Sequence, residues 1–120
     1  MVEISIEDDT LIVDVLGSHQ VFAFKGALRV PLSHVRSARH DVQHADRWWH
    51  GLNMMGTDIP GVFAAGTFWS SEGWRFWDVR HPENAITIEL QDERFAEIIV
   101  EVEDPERDAA VINEAARRFR

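Results

Sequence analysis

Ile86-Thr-Ile-Glu-Leu-Gln-Asp-Glu-Arg-Phe-Ala-Glu-Ile-Ile-Val-Glu-Val-Glu-Asp-Pro105 is the stretch on which the fold class turns. Ile86, Ile88 and Leu90 alternate with polar residues, the period of two that a half-buried strand requires. Gln91 to Arg94 read as a turn. Ile98, Val100 and Val102 then alternate again, with Glu97, Glu101 and Glu103 expected to point outward. At Asp104 the period changes. Asp104 is a good N-cap, Pro105 suits the first helical position, and Glu106 and Asp108 suit the positive end of the helix dipole. Val111, Ile112, Ala115, Ala116 and Phe119 fall on one helical face, and Arg117, Arg118 and Arg120 complement the negative end. Two strands followed by an amphipathic helix predict a sheet whose open end or face the helix plugs.

The same alternation extends upstream. Val2, Ile4 and Ile6 against Glu3, Ser5 and Glu7 predict a first strand, and Asp8-Asp9 turns the chain. Leu11, Val13 and Val15 lie on one face of a returning strand from Thr10 to Leu16. Gly17 to Gly26 has no clean period and is read as a short helix or helical turn. Leu28, Val30 and Leu32 predict another strand, in which Pro31, lacking a ladder donor, fits an edge or a bulge. A further strand runs from Val35 to Asp41. Val42 to Gly61 is the least regular part, with one helical turn from Asp46 to Leu52. Val62–Trp69 and Trp74–Arg80 flank Ser70-Ser71-Glu72-Gly73, a hairpin loop ending in Gly, in a register that pairs Trp69 with Trp74 and Gly66 with Trp77. His81 to Asn84 form a turn.

These elements make one mainly β domain over residues 1–120, about seven antiparallel strands in successive hairpins closed by a C-terminal helix. A chain of 120 residues that is 45% hydrophobic can bury one core large enough to offset its ordering entropy. No apolar run is long enough to cross a bilayer, and Met1-Val2-Glu3-Ile4 lacks the basic start and apolar core of a signal peptide. The absence of cysteine excludes a disulfide framework, a thiolate metal site and a thiol nucleophile. The expected location is the cytoplasm of a bacterium. A net charge of −9 opposes non-specific attraction to nucleic acid or anionic lipid. That charge is segregated: Gly17 to His50 hold five cations against two acids, and His81 to Arg120 hold eleven acids against five Arg.

Leu28-Arg-Val-Pro-Leu-Ser-His-Val-Arg-Ser37, Gly56-Thr-Asp-Ile-Pro-Gly-Val62 and Ala65-Gly-Thr-Phe68 resemble stretches of uncharacterised bacterial pleckstrin-homology-like domain proteins of GC-rich bacteria. Eleven Arg against one Lys fits such a genome. The resemblance implies a split barrel of two nearly orthogonal antiparallel sheets capped by the C-terminal helix, and it implies no activity. Phosphoinositide-binding members of that superfold place Lys and Arg in the loop after the first strand and along the second. Here that loop is Glu7-Asp8-Asp9 and the second strand carries Asp14 and no cation, so no phosphoinositide or membrane binding is expected.

His40, Asp41, His44, Asp46 and His50 fall within eleven residues and are all candidate zinc ligands, which makes a small metal-binding protein or metal-dependent hydrolase an alternative reading. Against it, no His-Glu-x-x-His pattern is present, and a polar loop entry explains the same residues. Asp78 and Glu89 form a possible acid/base pair, although hydrogen bonds from Arg75 or Arg80 are the plainer expectation. Gly51 to Gly61 match neither a phosphate loop nor a dinucleotide fingerprint, and no cofactor is implied. Aromatic residues carry the main signal. In the Val62–Arg80 hairpin Trp69, Trp74 and Phe76 point one way, and Phe68 and Trp77 the other. A one-sided core needs only one set, so the second must be covered by the 42–61 loop, another subunit or a ligand. The expected function is a non-enzymatic binding or scaffolding module. It self-associates, or meets a protein partner but no nucleic acid, through Trp48, Trp49, Met54, Met55, Trp69 and Trp74. A small-molecule sensor with a pocket between the hairpin and the 42–61 loop is a further alternative.

Overall fold

Glu7 pairs with Thr10 across Asp8-Asp9, so β1 (Val2–Glu7) and β2 (Thr10–Val15) are joined by two residues, with Asp8 at a φ of 56°. A computed structural model of the chain describes residues 2–15, 27–47, 65–70, 73–79 and 81–119. The segment Gly17–Gly26, read above as helical, lies outside them. β3 (Ala27–Pro31) pairs with β2 and completes a sheet ordered β1-β2-β3. Pro31 ends this edge strand, the position its missing donor requires.

A 3-10 turn, Leu32–His34, carries the chain round a corner into the second sheet and is tied back by the Leu32 N–H to the Asp9 carbonyl at 2.7 Å. That sheet holds β4 (Val35–Arg39), β5 (Ala65–Ser70), β6 (Gly73–Asp78), β7 (Ala85–Leu90) and β8 (Phe95–Glu101). Residues 42–47 form α1, earlier in the chain than the turn predicted at Asp46. A second 3-10 turn, Pro82–Asn84, precedes β7, and α2 (Pro105–Arg117) follows β8. The β5–β6 register is the one the sequence predicts, with Trp69 opposite Trp74 and Gly66 opposite Trp77.

The sheet order is β4-β7-β8-β6-β5, and this corrects the expectation of antiparallel hairpins throughout. β6 and β7 are consecutive but not neighbours. The connection between them leaves a slot one strand wide, and β8 turns back from β7 to fill it. Being antiparallel to β7, β8 is necessarily parallel to β6. The described residues thus form eight strands in two sheets plus a C-terminal helix, and no strand pairing among them joins the sheets into a closed barrel.

The core lies between the sheets. Ile86 and Ile88 of β7, Ile98 and Val100 of β8 and Phe76 of β6 pack with Leu11, Val13 and Val30 of the smaller sheet. Phe95 meets Phe76 edge-on at 6.1 Å between centroids. Asp104 caps α2 as predicted, accepting the Arg107 N–H at 3.2 Å. The helix packs chiefly against β4, with further contacts to β1, β7 and the Leu32–His34 turn. Its buried positions are Ala109, Ile112 and Ala116, an i, i+3, i+7 stripe. Val111 and Phe119, placed by sequence on the core face, are exposed, because contact with one edge strand uses a narrower stripe than a whole sheet would. In that stripe Asn113 acts as a substitute strand. Its amide donates to the Ala38 carbonyl at 2.7 Å and accepts the Ala38 N–H at 2.9 Å, closing the outer edge of β4 at that residue.

Candidate functional site

The far face of the five-stranded sheet holds the polar side chains that alternate with the core. Register sets them in rows. Glu89 lies opposite Glu97, and Glu97 opposite Arg75; one step along, Arg39 lies opposite Thr87, Thr87 opposite Ile99, and Ile99 opposite Trp77. Two carboxylates side by side repel unless cations separate their fields. Arg75 supplies one, donating from Nε to Glu97 Oε1 at 2.7 Å, with Arg75 only 3% and Glu97 only 8% exposed. Arg39 supplies the other, pairing with Glu89 through Nη1 and approaching Glu97 through Nη2 at 4.0 Å. His44 Nε2 lies 3.3 Å from Glu97 Oε1.

Asp41 explains why His44 reaches this point. It caps α1, accepting the His44 backbone N–H at 3.0 Å, and Arg39 Nε bonds its other oxygen at 3.3 Å. The His44 N–H, followed by Arg39, holds the Asp41 carboxyl below its ordinary range. Burial works to lower the pKa of Arg39, but Glu89 and Asp41 outweigh it and hold the guanidinium above its usual value. Arg39, His44, Arg75, Glu89 and Glu97, together with Arg36, Leu90 and Ala96, line an open groove of about 510 Å³.

Sequence reasoning missed the centre of this groove. Glu97 and Glu101 were expected outward, yet both are buried. Alternation assigns them correctly to the face opposite Ile98 and Val100, but it does not say that this face is covered. Glu101 accepts the His81 backbone N–H at 2.9 Å and faces the His81 ring at 3.0 Å. Arg75 was expected to serve Asp78 or Glu89. It bonds Glu97, because β8 stands between β6 and β7. The side chain of Asp78 lies outside the described residues.

Beyond the groove the far face turns apolar. Trp77, 1% exposed, packs with Ala45, Val79, Ala85 and Ile99. Ala45 belongs to α1, so this indole of the second aromatic set is sealed by the chain itself. Trp74 is different: it is 39% exposed, on β6 opposite Phe95 of β8, beside the register shift in which Ala96 of β8 is the extra residue. Trp69 is its cross-strand partner by register, with its side chain outside the described residues. Trp48, Trp49, Met54 and Met55, the rest of the predicted contact surface, also lie outside them.

Of the candidate metal ligands, the structure separates two and does not describe the third. His40 Nε2 bonds the Glu83 carbonyl at 2.8 Å, while His44 faces Glu97; His50 lies outside the described residues. Among the described residues no three His, Asp or Glu side chains converge as a metal site, and no helix is long and apolar enough to cross a membrane. Comparison of the whole chain with family models, curated proteins and solved structures finds no match, so the geometry above is what a functional reading has to stand on.

Proposed function

We propose that this protein is a non-enzymatic binding or scaffolding module that associates with itself through the aromatic surface of the β5–β6 hairpin. The observation that carries this reading is Trp74. A residue of that size on a regular strand is normally driven under cover, and its neighbours Phe76 and Trp77 are fully buried while Trp74 keeps 39% of its surface exposed. Burying the remainder of an indole against a second molecule is the gain that interface aromatics supply. The groove supports the same reading indirectly. Its carboxylates are engaged by guanidinium groups, which makes it a structural ion-pair network.

Pleckstrin-homology-like membership belongs to the same proposal and concerns the fold alone. Two sheets joined through a corner and a C-terminal helix support it, and the parallel β6–β8 pair departs from it. Sedimentation velocity over a range of protein concentrations tests the functional reading. The wild-type chain is expected to shift reversibly from monomer to oligomer, and Trp74→Ser is expected to shift the midpoint upward without lowering thermal stability. A wild-type monomer at every concentration overturns it.

A further inference from the structure

We propose that the groove on the far face of the five-stranded sheet binds a small organic carboxylate, held by Arg36 with its apolar body against Leu90 and Ala96. This site uses neither Trp74 nor β5, so it stands apart from the self-association proposed above. Two breaks in strand alternation build it.

On a regular strand, residues three apart face opposite ways. In β4, however, Val35 and Ala38 both pack into the core, while Arg36 and Arg39 both line the groove. The register shift between Val35 and Ser37 makes this possible: the inserted residue resets the alternation, and two arginines reach one face. β8 repeats the device. Phe95 and Ile98 both belong to the core, while the adjacent Ala96 and Glu97 both line the groove, because Ala96 is the extra residue opposite β6. A bulge gives up regular ladder pairing, and these two adjoin the same groove from either side of β7. Bulges beside a site re-aim side chains into it. Here they add one cation and one small residue that leaves room.

Arg36 is the cation without a carboxylate. Arg39 meets Asp41, Glu89 and Glu97, and Arg75 meets Glu97, so those guanidinium groups are already engaged. No hydrogen bond or ion pair among the described residues engages Arg36, which is exposed. A guanidinium presents a planar fork of donors that matches a carboxylate through two parallel bonds. Leu90 and Ala96 supply the apolar part of the lining, so the ligand carries a compact apolar body beside its charge. A groove of about 510 Å³ falls within the roughly 300–1,000 Å³ of small-molecule sites. With a net charge of −9 the chain as a whole repels anions, so retention has to come from local contacts.

Titration of the full, isotope-labelled chain with sodium benzoate, butyrate and cyclohexanecarboxylate at constant ionic strength tests the site by nuclear magnetic resonance. Benzylammonium and inorganic phosphate serve as comparisons. Saturable shifts of the Leu90 and Ala96 amides and of the Arg36 guanidinium are expected with at least one acid and with neither comparison compound. Arg36→Gln is expected to weaken binding at least about tenfold. Arg29→Gln, which removes the same charge from an exposed position on β3, is expected to leave binding unchanged. Ala96→Leu fills the space beside Leu90 and is expected to weaken binding as much as Arg36→Gln. Should Ala96→Leu fail to fold, Arg36→Gln at its exposed position decides alone. The absence of a saturable shift with all of the acids overturns the site. Equal binding of phosphate overturns it too, since the apolar body would then play no part. Equal weakening by Arg29→Gln does the same, by making the binding a property of net charge.

Discussion

Glu97 and Glu89 stand directly opposite each other on neighbouring strands, each paired with an arginine, and their removal is expected to have very different consequences. The Glu97 and Arg75 side chains are 10% and 4% exposed, so Glu97→Ala deletes the carboxylate that the desolvated Arg75 guanidinium meets at 2.7 Å. Breaking one side of a buried pair costs roughly 3–5 kcal/mol. At about 0.25 kcal/mol per degree for a chain of this length, the lower bound corresponds to a melting temperature about 12 °C below wild type. Glu89 and Arg39 are each more than a third exposed, which places their pair in the solvent-screened range of about 0–1 kcal/mol. Glu89→Ala also removes a like charge from beside Glu97, so its net effect falls near zero. Urea unfolding followed by tryptophan fluorescence measures both variants. Replacing both buried partners with apolar residues, Arg75→Met with Glu97→Leu, is expected to recover most of the loss. Equal costs for Glu97→Ala and Glu89→Ala, or a Glu97→Ala cost below about 1 kcal/mol, would show that the groove is screened by water down to its floor.

Thr87 is fully buried and its Oγ1 finds no hydrogen-bond partner among the described residues, so Thr87→Val is expected to stabilise the fold by about 1 kcal/mol in thermal unfolding. Asn113→Ala removes both bonds to Ala38 and is expected to cost about 1–3 kcal/mol, with amide exchange at Ala38 accelerating more than in the rest of β4. Asp41→Ala removes the cap of α1 and is expected to cost about 1 kcal/mol near neutrality. Because the folded carboxyl is held below its ordinary value near 3.8, the Asp41 contribution is present above that value and lost as pH falls through the folded one. Wild-type and Asp41→Ala stability curves should therefore converge in acid, and a gap that stays constant down to pH 2 would contradict the assignment.

Local chemistry was legible from residues alone; neighbourhood was not. Asp8-Asp9, the Trp69–Trp74 register, the His81–Asn84 turn and the Asp104 cap each depend on a few adjacent residues, and each appears where its residues require. The parallel β6–β8 pair left no such mark. Alternation reports which face a side chain takes and is silent on which strand lies alongside. The same limit misplaced Glu97, which meets His44 of α1 and the cations Arg39 of β4 and Arg75 of β6, and Glu101, which meets His81. Asp41 is a cap signal for α1, but alternation that runs a strand from Val35 to Asp41 hides it, and the helical turn is expected later, from Asp46. In α2 the apolar surplus of Val111 and Phe119 widened the apparent core face beyond the three positions that β4 covers.

The buried carboxylates of β8 also settle a question the apolar pattern leaves open. A one-residue slip of β8 would turn Ile98 and Val100 toward the groove and is excluded by burial alone. A two-residue slip would not be. Ile98, Val100 and Val102 are interchangeable hydrophobes, and moving one into the place of the next keeps the core apolar. On the far face the same slip carries a glutamate into the position of Ile99, against Trp77, Thr87 and Ala45, and leaves Arg75 opposite an isoleucine. A carboxylate without a cation in that setting costs several kcal/mol, far more than the small net gain from the native pairs. The glutamates therefore act less as a source of stability than as the feature that makes one register of a central strand distinguishable from its nearest competitor.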